Sequence, residues 1–307
     1  MPRIPASVCV LLSAFLLWPG LVSARDCVGL VPAGTSAFWH DLEAGARRTA
    51  DELQLELYTR APTREGSVEV QLQLIDHVLA HGCTALIIAP VGEAIDQRVT
   101  HLKSKGIPTV YIDRAVAGDG AHALVATDNF LAGQLAGQQL AERLGRGKRV
   151  ALLRLQPGLQ STQERERGFL LAARASGLEV IFDDYVGGDR ERIVEALTRM
   201  LPELDGVFSP NGNSSRATLA ALRQLGKAGQ VAFVGFDGGE LLFDALRDGQ
   251  IQALLLQQPQ AMGDHAVRLV QRALSGERAA APLQLLLEPR VVTSRDLSEM
   301  AASESPW

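Results

Sequence analysis

Ala85-Leu-Ile-Ile-Ala-Pro90 leads into a helical stretch and then into Ile107-Pro-Thr-Val-Tyr-Ile-Asp113. Further along, Gly206-Val-Phe-Ser-Pro210 leads into another helical stretch and then into Val231-Ala-Phe-Val-Gly-Phe-Asp237. Each unit reads strand, loop, helix, strand, and each closes on an aspartate. A continuous apolar run of four or five residues is what a strand needs when helices cover both faces of its sheet. Two similar units in one chain predict two similar sheets.

Outward from these units the same alternation continues. Strands are predicted at Val28–Val31, Leu55–Thr59, Ala85–Ala89, Thr109–Ile112 and Leu124–Ala126, and then at Val150–Leu155, Val180–Phe182, Val207–Ser209, Ala232–Phe236 and Ala253–Leu256. Between them, stretches such as 38–53 place Leu42, Ala46, Ala50 and Leu53 at helical spacing. Strand–helix alternation throughout predicts an α/β protein with right-handed crossovers. Ligands of open α/β sheets bind beyond the carboxyl ends of the strands. Asp113 and Asp237 both fall at such ends, so two lobes facing each other there would share one cleft. A lone aspartate at such a place is more simply a helix cap or a turn residue; the matched placement in both halves argues for the cleft.

The N-terminus predicts export. Residues 1–24 hold one charged side chain, Arg3, then an apolar run from Val8 to Leu17, then Val22-Ser23-Ala24. A basic start, a short apolar middle and small residues at the exit describe a secretory signal peptide cleaved after Ala24. The apolar run is short for an uncleaved membrane anchor, and Ala24-Arg25-Asp26 before Cys27 does not suit a lipid-attachment box. Removal leaves roughly 280 residues, enough for one large or two medium domains and for a core that does not depend on disulfides.

The chain carries 30 basic and 35 acidic residues, for a net charge of −5. No basic stripe is present to neutralise phosphates, which argues against nucleic acid as a partner. Cys9 lies in the leader, so Cys27 and Cys83 remain. Each stands at the start of a predicted strand, and in a doubly wound sheet those strands would be parallel neighbours. A Cys27–Cys83 disulfide is therefore expected, against the plainer account of two buried thiols packing as small hydrophobes.

Six histidines, His40, His77, His81, His101, His122 and His265, show no metal-ligand spacing. His77 and His81 are four apart, but they lack the glutamate of a zinc-protease helix and read as solvent-facing. Ser161 is followed by Glu164 and Arg165 rather than by a nucleophile elbow. No Gly-x-Gly-x-x-Gly opens a helix after a strand. Neither a nucleophile nor a metal constellation can be assembled, so an enzyme is not expected, and no cofactor is implied.

The distributed motifs resemble the periplasmic sugar-binding proteins of ABC importers, of the ribose-binding type, over nearly the whole chain from Cys27 to Val292. Pro32-Ala-Gly-Thr-Ser-Ala-Phe-Trp39 looks like the family's first loop with its aromatic pair. Tyr111-Ile-Asp-Arg114 looks like its Asp-Arg segment, and Thr127-Asp-Asn129 like its first hinge. Arg165 in Arg165-Glu-Arg-Gly-Phe169, Asn211 after Ser209-Pro210, Asp237 in Val234-Gly-Phe-Asp-Gly238 and Gln257 before Pro259 match its second-lobe positions.

The resemblance implies the type I periplasmic binding fold: two Rossmann-like lobes, each a parallel sheet flanked by helices, joined by a multi-strand hinge. Residues 25–127 with 258–285 would form lobe 1. Residues 128–257 with 286–295 would form lobe 2, and 296–307 a polar C-terminal tail. Crossings are expected near Thr127-Asp128, Gln257-Gln258 and Leu286.

The implied ligand set is Ser36, Phe38, Trp39, Asp113, Arg114, Arg165, Asn211, Asp237 and Gln257. Its chemistry suits a sugar. Carboxylates accept from hydroxyls, guanidinium forks donate, and the amides do both. Phe38 and Trp39 can cover an apolar sugar face, although a hydrophobic staple at the start of the next helix is the plainer account of the pair. Asp237→Ala and Arg165→Ala are expected to weaken binding and to leave the fold intact. Departures from the pattern are Pro32, Ser36, Ala89, Gly212 and the aromatic-free Gly187-Gly188-Asp189; they leave ribose itself unsupported. The implied partners are a small-molecule ligand and an ABC permease, or alternatively a periplasmic sensor kinase or chemoreceptor, with the protein a monomer in the periplasm. A transcription regulator of the same fold would carry a DNA-reading helix-turn-helix, where this chain has a leader.

Overall fold

The computed structural model describes residues 26–64, 66–277 and 281–302. The predicted leader and its cleavage point lie outside the described residues. Among the described residues no helix is long and apolar enough to cross a membrane.

In chain order the elements are β1 (Cys27–Val31), α1 (Ala37–Glu52), β2 (Glu56–Thr59), α2 (Val68–Ala80), β3 (Ala85–Ile88), α3 (Glu93–Ser104), β4 (Thr109–Ile112) and β5 (Ala123–Thr127). There follow α4 (Asn129–Leu144), β6 (Arg149–Arg154), α5 (Gln160–Ala175), β7 (Glu179–Tyr185), α6 (Arg190–Met200), β8 (Gly206–Phe208), α7 (Gly212–Gln224), β9 (Ala232–Phe236), α8 (Glu240–Arg247) and β10 (Ala253–Leu256). The chain closes with α9 (Pro259–Leu274), β11 (Leu283–Leu287), β12 (Arg290–Val292) and α10 (Ser294–Ala302).

The strands form two six-stranded sheets, ordered β11-β5-β4-β3-β1-β2 and β12-β10-β9-β8-β6-β7. All pairings are parallel except β10 with β12. Position for position the two orders correspond, so the internal repeat seen in sequence is a repeat of topology. Strand residues alternate between the two faces of each sheet. In the first sheet Ala85 and Ile87 pack with Leu42, Ala46 and Met262 of α1 and α9, while Leu86 and Ile88 pack with Ile75, Val78, Ile95 and Val99 of α2 and α3. In the second, Phe233 faces α6–α8, and Phe208, Val234 and Phe236 face α4 and α5. With both faces covered, the central strands have no solvent side, which is why their sequences lack polar alternation. Truncating one of the fully buried phenylalanines, such as Phe208, to alanine is expected to cost about 3–5 kcal/mol.

The chain passes between lobes three times, and the three segments are tied to one another. Thr127 Oγ1 donates to Gln257 Oε1 at 2.8 Å. The Asp128 amide donates to Leu287 O at 2.8 Å, and Gln258 Nε2 donates to Glu288 O at 2.8 Å. Leu286 and Leu287 still pair with Ala126 and Thr127 in the first sheet. The third crossing therefore falls at residues 288–289, just beyond the expected Leu286, because ladder pairing runs to the end of β5.

The polar tail expected over residues 296–307 is helix as far as residue 302, and residues 303–307 lie outside the described residues. Residues 294–302 form α10, and Leu297 is buried in the second lobe's core. Asp296 Oδ2 accepts from the Thr293 amide and hydroxyl, which fixes the helix start. Two short strands, β11 and β12, had no counterpart among the sequence expectations.

At the opposite end of the first sheet, Cys27 and Cys83 are joined by a disulfide. The pairing Val28↔Ala85 between β1 and β3 brings the two strand starts together.

Candidate functional site

The carboxyl ends of both sheets border one cleft of about 830 Å³. All nine side chains expected at the site line it: Ser36, Phe38, Trp39, Asp113 and Arg114 from the first lobe, and Arg165, Asn211, Asp237 and Gln257 from the second or from the crossing beside it.

The two aspartates occupy equivalent places. Asp113 follows β4 and Asp237 follows β9, and both have left-handed backbones, with φ of 65° and 61°. The Asp113 amide donates to Val125 O and the Asp237 amide to Leu255 O, each at 2.9 Å. Each residue thus turns out of the sheet while its amide still bonds the neighbouring strand, which aims the carboxylate into the cleft. Aspartate tolerates this conformation better than most residues, because its short side chain can bond locally. Neither is a helix cap.

Asp237 is held from two sides. Its Oδ2 accepts from the Gly212 amide at 2.9 Å and its Oδ1 from Gln257 Nε2 at 2.8 Å. Gln257 is oriented in turn, since its Oε1 accepts from Thr127 Oγ1 at 2.8 Å and from Arg165 at 3.3 Å. Asp113 accepts from Arg114 Nε at 2.9 Å, and the Arg114 guanidinium lies 5.7 Å from the Trp39 ring centre.

Arg165 is only 3% exposed. Its Nε donates to Asn129 Oδ1 at 2.8 Å and its Nη1 to Pro210 O at 2.9 Å, and the guanidinium lies 3.7 Å over the Phe236 ring. Burial lowers its pKa to about 10, against the pull of the Asp237 and Asp113 carboxylates; it remains protonated at neutral pH. Its position depends on glycines in the helix pair α4–α5. A Cβ on Gly133 would meet Arg165 O at 1.9 Å, and one on Gly168 would meet Phe130 O at 2.1 Å. With three anchoring bonds Arg165 belongs to the scaffold as much as to the cleft, so its removal is expected to cost stability as well as binding.

Asn211 has two roles as well. It caps α7 in a reciprocal box with Ser214, its Oδ1 accepting from the Ser214 amide at 2.8 Å. The capping uses the oxygen, so the amide nitrogen is the donor suited to the cleft. Ser36 precedes α1, where its hydroxyl makes no capping bond. Phe38 and Trp39 lie in the first turn of α1 and meet edge to face at 4.8 Å. Trp39 is 3% exposed and packs in the first lobe's core while also bordering the cleft, so the packing account and the cleft account both apply to it.

Sequence reasoning missed other lining residues. Glu93 and Arg216 bring opposite charges to the two walls, and Gln156 in the loop after β6 and Gln160 at the start of α5 add amides. Their one legible signal was position directly after a strand end or at a helix start. Among the described residues no histidine lines the cleft. His81 instead accompanies Glu56 at 2.8 Å and stacks on Tyr58. The cluster Cys27, Glu56 and His81 gathers metal-ligand types, but its sulfur is committed to the disulfide.

Two α/β lobes of corresponding topology, joined by three bonded crossings and facing each other across a polar cleft, define the type I periplasmic binding fold. Residues 28–278 match the periplasmic binding protein domain. The chain is 29% identical over 271 residues to the ribose import binding protein of Salmonella typhimurium, covering 86% of this chain and 90% of that one. It is 31% identical over 219 residues to the ribose import binding protein of Bacillus subtilis, covering 69% and 71%. Among solved structures, the periplasmic component of an ABC-type sugar transport system from Hahella chejuensis superposes with a TM-score of 0.77 at 34% identity, covering 87% of this chain and 99% of that chain. The chain belongs to the periplasmic binding protein family, in its ribose-binding type.

Proposed function

We propose that this protein captures a sugar or sugar-like small molecule in the interlobe cleft, closes over it by rotation about the three crossings, and delivers it from the periplasm to an ABC permease. The observation that carries the reading is the joining of Asp237, Gln257, Arg165 and Thr127 in one hydrogen-bonded chain that runs from the cleft to a crossing. A ligand hydroxyl bound by Asp237 would act directly on the segment that must rotate. Contacts from both walls favour the closed form, so binding shifts an open–closed equilibrium. The residues proposed to bind are Ser36, Phe38, Trp39, Asp113, Arg114, Arg165, Asn211, Asp237 and Gln257.

The family resemblance supports the same reading, as do relatives named for ribose import and for sugar transport. The test is a thermal-shift screen of the mature protein, freed of carried-over ligand by partial unfolding and dialysis, against pentoses, hexoses, their alcohols and their acids. A ligand at about a thousand times its Kd adds roughly 4 kcal/mol. A clear hit followed by uptake loss on deletion establishes transport. Binding without any uptake defect assigns the protein to a signalling partner instead, and silence across the screen rejects a sugar ligand.

A further inference from the structure

The loop that follows β4 lines the cleft with Arg114, Ala115, Val116 and Ala117 before the chain rejoins the sheet at Ala123. Backbone bonds fix its two ends. The Asp113 amide donates to Val125 O at 2.9 Å, and the His122 amide donates to Thr109 O at 2.8 Å. Among the described residues, no backbone–backbone bond supports positions 115–121 between them. Ala121 is buried in the first lobe's core, and Ala115 and Val116 pack against it. Such packing is non-directional, so it holds the loop down without fixing the course of its backbone.

A buried carboxylate supplies the direction. Asp96, in α3, is 8% exposed. Its Oδ1 accepts from the Gly120 amide at 3.2 Å and from the Tyr111 hydroxyl at 2.9 Å, so one oxygen ties the loop to the strand that delivers Asp113. The loop lies directly on this group, since a Cβ on Gly118 would meet Asp96 Oδ2 at 1.8 Å. A second side-chain bond to the loop, from Lys103 Nζ to Asp119 O at 2.6 Å, is exposed, and water competes for both partners. The bonds to Asp96 lie in the interior, where losing a partner is more damaging. Asp96 itself is not part of the cleft lining.

We infer that Asp96 is a positioning residue for the ligand site proposed above, on which this inference rests. By holding Gly120 and Tyr111 together it sets the loop before any ligand arrives, and with the loop it sets the Arg114 guanidinium beside Asp113. The loop then need not be ordered during binding, so affinity rises without any contact from Asp96. The role is one of hydrogen-bond geometry rather than charge. An amide oxygen has two acceptor sites, so asparagine at this position can take both bonds.

The test uses the mature protein and the probe that gives the largest thermal shift among D-ribose, D-xylose, D-allose, D-galactose, D-mannose and xylitol. Isothermal titration reads affinity, and hydrogen exchange reads the amides of residues 114–121. Asp96→Ala is expected to weaken binding about tenfold or more and to speed exchange across the loop. Asp96→Asn is expected to stay within about threefold of the parent and to keep the slow exchange. Gly120→Ala breaks the same anchor from the loop side, because its Cβ would meet Asp96 Oδ1 at 2.8 Å and the Thr100 nitrogen at 2.9 Å; it serves where Asp96→Ala fails to fold. Leu102→Ala, a core truncation near the other end of α3, controls for destabilisation alone and should bind as the parent does. Fast loop exchange with unchanged affinity overturns the positioning role. Slow exchange in both anchor variants overturns the anchor. Losses as large in Asp96→Asn or in Leu102→Ala as in Asp96→Ala overturn the role of bond geometry. Asp237→Asn keeps the two failures apart: if it weakens binding while the anchor variants do not, the ligand site stands and this inference falls. No thermal shift from any probe overturns both.

Discussion

Replacing Asp237 by asparagine separates its work in the cleft from its work in the scaffold. Each carboxylate oxygen already accepts one bond, from the Gly212 amide and from Gln257 Nε2. A carboxylate offers about four acceptor sites, so one on each oxygen is left for ligand hydroxyls. Two charge-assisted bonds at roughly 1.5–3 kcal/mol each make about 3–6 kcal/mol available to binding. Asparagine keeps one acceptor oxygen and loses the charge. Affinity should then fall by about 2–4 kcal/mol, roughly 30- to 1,000-fold in Kd. The folded protein loses less. Asparagine tolerates the left-handed backbone at φ 61°, its oxygen can still accept from Gly212, and only the bond from Gln257 is spoiled, at about 1 kcal/mol. Asp237→Ala adds backbone strain of roughly 1 kcal/mol, and Asp237→Gly relieves it while removing the same contacts. Titration calorimetry with the ligand found by the screen, beside urea unfolding of each variant, reads the two effects apart. Asn, Ala and Gly variants that fold and bind within threefold of the parent protein would refute the placement of Asp237 at the site.

Arg165→Met should cost about 3 kcal/mol in urea unfolding, since it removes three anchoring bonds at about 1 kcal/mol each, and it should also abolish tight binding. A variant as stable as the parent would show that relief of guanidinium desolvation offsets those bonds. Thiol titration of the denatured, unreduced mature protein should find neither Cys27 nor Cys83 free. Reduction should lower stability by about 2–4 kcal/mol, as expected for closure of a loop with a sequence separation of 56. Burial, and then nearby Lys103, lowers the pKa of His122, whose Nδ1 accepts from the Thr109 amide at 3.3 Å. The folded protein therefore binds this proton less readily than the unfolded chain. Stability from His122 is present above about pH 6.5 and is lost as pH falls through its lowered folded value. Unfolding measured from pH 7 to pH 5 should show that loss, and His122→Asn should remove this component of the slope.

Much of the fold was legible because its rules are local. Ala85–Ile88 is apolar on both faces and Thr109–Ile112 is buried on both, and strands sandwiched between helices are the ones that read so. The repeated closing aspartates marked equivalent places in two lobes, and the family resemblance supplied the other seven expected lining residues position by position. Other features left no local trace. β11 and β12 are short, and their identity comes from the neighbours they pair with, β5 and β10. The helix at 294–302 looked like a tail because its signal is one buried leucine and one capping aspartate. Glu93 and Arg216 reach the cleft through the packing of whole lobes.

By itself the sequence determined the class of the protein: two α/β halves, an apolar core of continuous strands, and carboxylates set at strand ends. Those properties follow from side-chain hydropathy and backbone preference, which act over a few residues. Tertiary structure alone decided how the polar groups share their bonds. Arg165 became a scaffold residue because Asn129, Pro210 and Gln257, far apart in the chain, converge on it. The Val91 amide and the Ala89 carbonyl are spent inside the first lobe because Gln71 captures both from α2. Hydrogen bonding is directional and short-ranged, so which groups remain for a ligand is settled only when distant segments meet.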